Sequence, residues 1–155
     1  MNLLDDLPIA SNCNILLADK TGEMVVAECT PFTKRLRKPI YFDNDHIVCA
    51  VNSFTSCEMK QYDAANSDDY DSEKRHQTVI DNFQSRIKDD VIETTQQLLK
   101  GEYGFMCQYD YDPNFETVWS SVFDLGSLMI FRAEGDPRRN RFITDTRLHD
   151  IVIKG

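Results

Sequence analysis

Cys13-Asn14-Ile15-Leu16-Leu17-Ala18-Asp19 and Glu23-Met24-Val25-Val26-Ala27-Glu28-Cys29 are two strand-length, largely apolar runs joined by Lys20-Thr21-Gly22. Runs of this length, separated by a three-residue connection with a glycine able to take positive φ, predict a β-hairpin. Beyond Pro31 a short basic run around Leu36 predicts a further strand. Pro39-Ile40-Tyr41-Phe42, a polar turn at Asp43-Asn44-Asp45 and a strand from His46 to Val51 follow, each of ordinary strand length. On the other side of the hairpin, the first ten residues are amphipathic and break at Pro8, as at the tail of a helix.

Further along, residues 62–73 are polar and acidic and predict an exposed loop. Ser72 is a candidate N-cap, and Val79, Ile80, Phe83 and Ile87 then recur at three- and four-residue spacing, predicting a helix of about fifteen residues. Val91, Ile92, Thr95, Leu98 and Leu99 share one face of a second helix, with Gly101 where a C-terminal glycine belongs. The last third predicts a second hairpin, Thr117 to Phe123 and Leu128 to Ala133, turning at Asp124-Leu125-Gly126-Ser127. Hairpin, strand, two helices and hairpin make an α+β pattern, antiparallel hairpins with an inserted helical pair, expected to form a single domain over residues 1–155.

Composition narrows the function classes. Apolar residues make up 41% of the 155, about 45% with the six glycines, which is the low edge of the globular range. The net charge of -9 and the brevity of the basic clusters at residues 34–38 and 138–141 argue against nucleic acid, whose phosphates need clustered cations. No apolar run approaches the roughly 18 residues of a membrane span, so no membrane partner is expected. Acidic residues replace the basic start of a signal peptide, and five cysteines without a Cys-x-x-Cys pair fit a reducing compartment, so a cytoplasmic location is expected. His46, His76 and His149 lie in no ligand spacing, and they read as two surface histidines and one at a strand start. Asp110-x-Asp112-x-Asn114-x-Glu116 resembles the opening of a calcium loop, but Phe115 stands where the loop needs glycine and Ser121 where it needs glutamate. Gly101-x-x-Gly104 lacks the context of a phosphate cradle. No metal and no cofactor are therefore expected.

Two residues stand out as chemistry-bearing. Arg75 falls in the first turn of the predicted long helix, where a cation opposes the helix dipole, so it is either solvated or bound to an acceptor. Asn52, at the end of the strand from His46 to Val51, can donate N–H to a developing oxyanion in acyl transfer, or serve as an Asx-turn residue.

Four stretches in order, Asn14 to Glu28, Val51-Asn52-Ser53-Phe54 with Glu58-Met59, Ser72 to Arg75, and Thr117 to Asp124 with Phe131 to Gly135, resemble the C-terminal half of the linear amide C–N hydrolases. That group includes choloylglycine hydrolases, penicillin V acylases and the acyl-CoA:6-aminopenicillanic acid acyltransferase-like proteins, and the chain looks closest to the last, over about residues 8–145. The resemblance implies the N-terminal nucleophile hydrolase fold, an αββα sandwich of which this chain is a part. It implies a cysteine nucleophile whose own α-amino group is the base, with Asn52 as oxyanion donor and Arg75 supporting the nucleophile region. Ser53 differs from what usually follows the family asparagine, which bears on the substrate pocket. The nucleophile-bearing half has no counterpart here, and Cys13, between Asn12 and Asn14, lacks the basic partners that activate a thiol.

The expectation is therefore a C-terminal portion of a cysteine-type hydrolase or acyltransferase, inactive alone. Completed by a nucleophile-bearing segment, it would act on a small-molecule amide of the N-acyl, bile-salt or penicillin type. The alternative expectation is a non-enzymatic binding or assembly domain of the same descent, forming a homo-oligomer through an exposed sheet. A third is an unrelated small α+β domain.

Overall fold

The computed structural model describes residues 6–43, 45–63, 71–86, 90–106 and 116–147. The chain divides into two compact units, Met1–Ile80 and Asp81–Gly155.

In the first unit the hairpin forms where the sequence predicts it. Strands β1 (Cys13–Ala18) and β2 (Met24–Cys29) pair antiparallel, with Cys13 opposite Cys29 and Ala18 opposite Met24. The turn is fixed by Asp19, whose Oδ1 accepts from the Thr21 N–H (2.8 Å), the Thr21 hydroxyl (2.6 Å) and the Glu23 N–H (3.3 Å). Gly22 sits at φ +88°, a conformation that side chains rarely adopt. The basic run becomes β3 (Lys34–Arg37), which pairs with β2 and gives the order β1-β2-β3. That makes β2 the central strand, and Val26, Ala27, Glu28 and Cys29 are all buried. A separate antiparallel pair follows, β4 (Ile40–Phe42) with β5 (Asp45–Ile47).

The strand expected to run from His46 to Val51 stops at Ile47. The carbonyls beyond it go to side chains instead of a ladder: Cys49 O accepts from Arg37 Nη2, and Val51 O from Asn14 Nδ2 at 2.8 Å. Helix α1 (Cys57–Lys60), which the sequence pattern is too short to reveal, follows with Met59 buried. Helix α2 (Ser72–Arg86) has the expected fifteen residues, with Val79, Ile80 and Phe83 half-buried. Ile87 lies outside the described residues, as do most of the polar loop at residues 64–70, the calcium-like run before Glu116, and His149.

In the second unit, α3 (Val91–Leu99) starts at Asp90, whose side chain accepts from the N–H groups of Ile92 (2.9 Å) and Glu93 (3.0 Å). It ends before Gly101 at φ +81°. Ile92, Thr95, Leu98 and Leu99 are half-buried, whereas Val91 is exposed. The second hairpin is β6 (Trp119–Asp124) and β7 (Met129–Glu134), and a short β8 (Ile143–Thr144) adds to β7. Asp124 Oδ1 closes the turn by accepting from the N–H groups of Gly126 (3.0 Å) and Ser127 (3.3 Å). Helix α3 packs against β6, and Ser120, Val122 and Ala133 are buried. Small antiparallel sheets with few helices make an α+β fold. No described helix is long and apolar enough to cross a membrane.

The N-cap at Asp90 satisfies two N–H groups that the helix itself cannot. Asp90→Ala is expected to lower stability by about 1 kcal/mol and Asp90→Ser by less. Urea unfolding followed by circular dichroism checks both.

Candidate functional site

The site is built on a cross-strand pair, Asn14 of β1 opposite Glu28 of β2. Asn14 Nδ2 donates to the carbonyls of Val51 (2.8 Å) and Ser53 (2.9 Å), the residues on either side of Asn52. Glu28, its side chain fully buried, accepts from the N–H groups of Thr55 (2.8 Å) and Ser56 (3.2 Å), from the Ser56 hydroxyl, and from Arg37 Nε (3.2 Å). Asp63 accepts the Phe54 N–H at 3.1 Å. Three polar side chains thus hold the backbone from residue 51 to residue 56, where no strand or helix could.

Burial alone would raise the Glu28 pKa. The Ser56 hydroxyl, the N–H groups of Thr55 and Ser56, and the Arg37 charge outweigh it and hold the carboxyl below the ordinary glutamate value, so it is ionised at neutral pH.

The two residues singled out in the sequence meet on this frame. Asn52 is exposed, and Arg75, half-buried in the first turn of α2, donates from Nη2 to Asn52 Oδ1 at 2.9 Å and reaches Ser72 Oγ at 3.5 Å. A guanidinium can only donate, so the amide atom facing it must be the oxygen. Nδ2 is thereby turned away from Arg75 and has no acceptor among the described residues. Arg75 Nε is buried and unpartnered. Asn52 lies in the loop beyond β5 rather than at the end of a strand, because the strand is shorter than expected.

Beside this loop is a cavity of about 210 Å³ whose lining combines Val51 and Phe54 with Lys60, Asp63, Glu73 and His76. His76 corrects an expectation: it is half-buried rather than on the surface, and its Nε2 is buried without a partner. Burial first, then the Arg37 charge, pushes its pKa down, so the ring is neutral at neutral pH. His46 lies within β5, with Nε2 3.0 Å from Gly22 O and the ring stacked on Tyr41, a packing role. The Cys49 thiol is pushed up by burial, and Arg37 and Arg75 offset this only partly. Cys57, at the start of α1, is exposed. Among the described residues no group of three or more His, Cys, Asp or Glu side chains is placed to hold a metal ion.

Sequence reasoning missed Asn14, Glu28, Asp63 and His76. Only Glu28 left a signal, an acid within the apolar run Met24 to Cys29.

A family model described as acyl-coenzyme A:6-aminopenicillanic acid acyl-transferase matches residues 1–139. No curated protein and no solved structure matches the chain.

Removing the Glu28 carboxylate would leave Arg37 Nε, two N–H groups and the Ser56 hydroxyl without their acceptor. Glu28→Ala is expected to lower stability by about 3–5 kcal/mol in urea unfolding. The pH dependence follows from the sign of the shift. A carboxyl whose folded pKa lies below its unfolded value stabilises above the unfolded pKa and loses that contribution as pH falls through the folded one. From about pH 4.3 downward, wild type is therefore expected to lose thermal stability more steeply than Glu28→Gln, and parallel curves would remove Glu28 from its charged role.

Proposed function

The chain belongs to the acyl-coenzyme A:6-aminopenicillanic acid acyl-transferase family, and from that premise we propose that it supplies the oxyanion-binding part of a site for acyl transfer from linear amides. The observation that supports this most is the 2.9 Å hydrogen bond from Arg75 to Asn52, which leaves the Asn52 Nδ2–H as a fixed, unspent donor. In this reading the hairpins and helices are part of an N-terminal nucleophile type αββα sandwich working in the cytoplasm. A cysteine from another segment is the nucleophile.

The chemistry follows from the charge that develops. Thiolate attack on an amide carbonyl places negative charge on its oxygen, and a donor already aimed there stabilises the transition state without reorganising. Collapse of the tetrahedral intermediate expels the amine and leaves an acyl-thioester, which water or another amine then resolves. Asn52 is the donor. Arg75 is a positioning residue, which fixes the amide orientation and polarises its N–H through the oxygen.

Alone, the chain is expected not to turn over penicillin V, bile-salt conjugates or N-acyl amino acids. Combined with a nucleophile-bearing segment read from the DNA adjoining its gene, it is expected to hydrolyse such amides, with Asn52→Ala lowering kcat about 100- to 1,000-fold and leaving KM little changed. Full activity in Asn52→Ala would overturn the assignment.

A second reading, a self-associating domain, is favoured by the second unit, where Trp119, Phe123 and Ile143 of the β6-β7-β8 sheet are exposed. Light scattering is expected to give a dimer that Phe123→Glu dissociates. A clean monomer at high concentration, with no dye-accessible apolar surface, rejects it.

A further inference from the structure

Cys13 and Cys29 stand opposite each other at the open end of the β1–β2 hairpin, one step beyond the Asn14–Glu28 pair. Both are free thiols, Cys29 fully buried and Cys13 partly exposed. The ladder fixes what kind of pair they are. The Asp19 N–H donates to Glu23 O at 3.0 Å, so residues 19 and 23 form a hydrogen-bonded pair. Hydrogen-bonded and non-hydrogen-bonded pairs alternate along an antiparallel ladder, and counting back in register makes Cys13 with Cys29 hydrogen-bonded. Such pairs hold their Cα atoms about 5.5 Å apart, within the range of a disulfide. Their Cβ atoms stand about 5.5 Å apart, wider than the roughly 3.5–4.5 Å a disulfide prefers, so the bond closes only with strain and is readily reduced. Burial first, then the neighbouring Cys13, pushes the Cys29 thiol up, and Lys34 offsets this only partly.

We propose that Cys13 and Cys29 are a reversible thiol–disulfide site whose co-reactant is a small-molecule disulfide such as oxidised glutathione, and that closing the bond stiffens the loop presenting Asn52. The second half rests on the reading of Asn52 as an oxyanion donor. Cys13, the exposed partner, attacks as thiolate on one glutathione sulfur, forming a mixed disulfide and releasing one glutathione thiolate. Cys29 then loses its proton and attacks Cys13 Sγ. The bond from Cys13 to glutathione breaks, the second glutathione leaves, and the Cys13–Cys29 bond forms. Two protein thiols lose two electrons in total, and one glutathione disulfide becomes two thiols.

The coupling to the site is positional. Asn14 and Glu28, adjacent in chain to the two cysteines, make the hydrogen bonds that hold Val51 O, Ser53 O and the N–H groups of Thr55 and Ser56. A covalent link at the open end keeps β1 from peeling off β2 and so keeps Asn14 and Glu28 side by side.

The test treats the full wild-type chain with oxidised glutathione and reads intact mass, disulfide-linked peptides and amide hydrogen exchange. The expected result is a loss of two hydrogens beyond the glutathione carried by Cys57, a Cys13–Cys29 linked peptide reversed by dithiothreitol, and exchange at Thr55 and Ser56 slowed several-fold. Exposed Cys57 serves as the internal control and takes glutathione as a mixed disulfide. Cys29→Ser is expected to stop at a stable mixed disulfide on Cys13. Glutathione on Cys57 alone, or on wild-type Cys13 without a cross-link, overturns the thiol–disulfide site, and a cross-link with unchanged exchange overturns its coupling to the loop. The cross-link forms whatever Asn52 does, so its failure and that of the oxyanion assignment are separate results.

Discussion

A carboxylate with no solvent exposure stands on the central strand of the first unit, and much around it is arranged to keep it charged. Glu28 forfeits its hydration, a loss of several kcal/mol for an isolated ion even after relaxation, and it recovers this from four donors. Three of those donors, the Thr55 N–H, the Ser56 N–H and the Ser56 hydroxyl, belong to one short segment, and the fourth is Arg37 of β3. The segment therefore has to fold over β2 with its N–H groups pointing inward. Arg37 in turn occupies Cys49 O, which takes the chain out of the ladder after Ile47.

From that anchor the placement of Asn52 follows in two steps. Asn14, opposite Glu28, holds the carbonyls on both sides of Asn52, so the residue is exposed yet its backbone is fixed. Arg75 then fixes the side chain. An arginine in the first turn of a helix opposes the dipole, and its position is explained by an acceptor, Asn52 Oδ1, supplied from the loop. Conformational freedom that the amide would otherwise lose on meeting a transition state is lost during folding instead, the usual basis of electrostatic preorganisation.

How much of this the sequence discloses depends on the range over which each cause acts. The two hairpins were legible because strand-length apolar runs and the turn chemistry of Asp19, Gly22 and Asp124 act within a few residues. The two longer helices were legible from periodicity and, for α3, from Gly101 just past its end, whereas the Asp90 cap emerged only in the structure. Helix α1 and strand β8, at four and two residues, are too short to carry a period. The overlong strand to Val51 shows what propensity omits, since its carbonyls are claimed by Arg37 and Asn14 from distant strands. Asn52 and Arg75 could each be named from residue type and position, but their contact spans 23 residues and depends on the loop path that Glu28 dictates. His76, polar and on an otherwise solvent-like helix turn, carried no mark of its burial.

The second unit imposes a different constraint, on any partner its sheet accepts. Its exposed face is not a bare apolar surface. Arg132 lies 4.4 Å over the Trp119 ring and pairs with Glu134 at 2.6 Å, while Arg147 pairs with Asp145 at 2.5 Å and holds that carboxyl at about 2. Exposed ion pairs of this kind contribute little to stability by themselves, but they decide what can cover the face. A wholly apolar partner would strand Arg132 and Glu134 without water. Arg132 stands on the central strand β7, directly opposite Ile143 and between the strands that carry Phe123 and Ile143, so a partner that meets those two with apolar groups has also to give the Arg132–Glu134 pair water or polar groups.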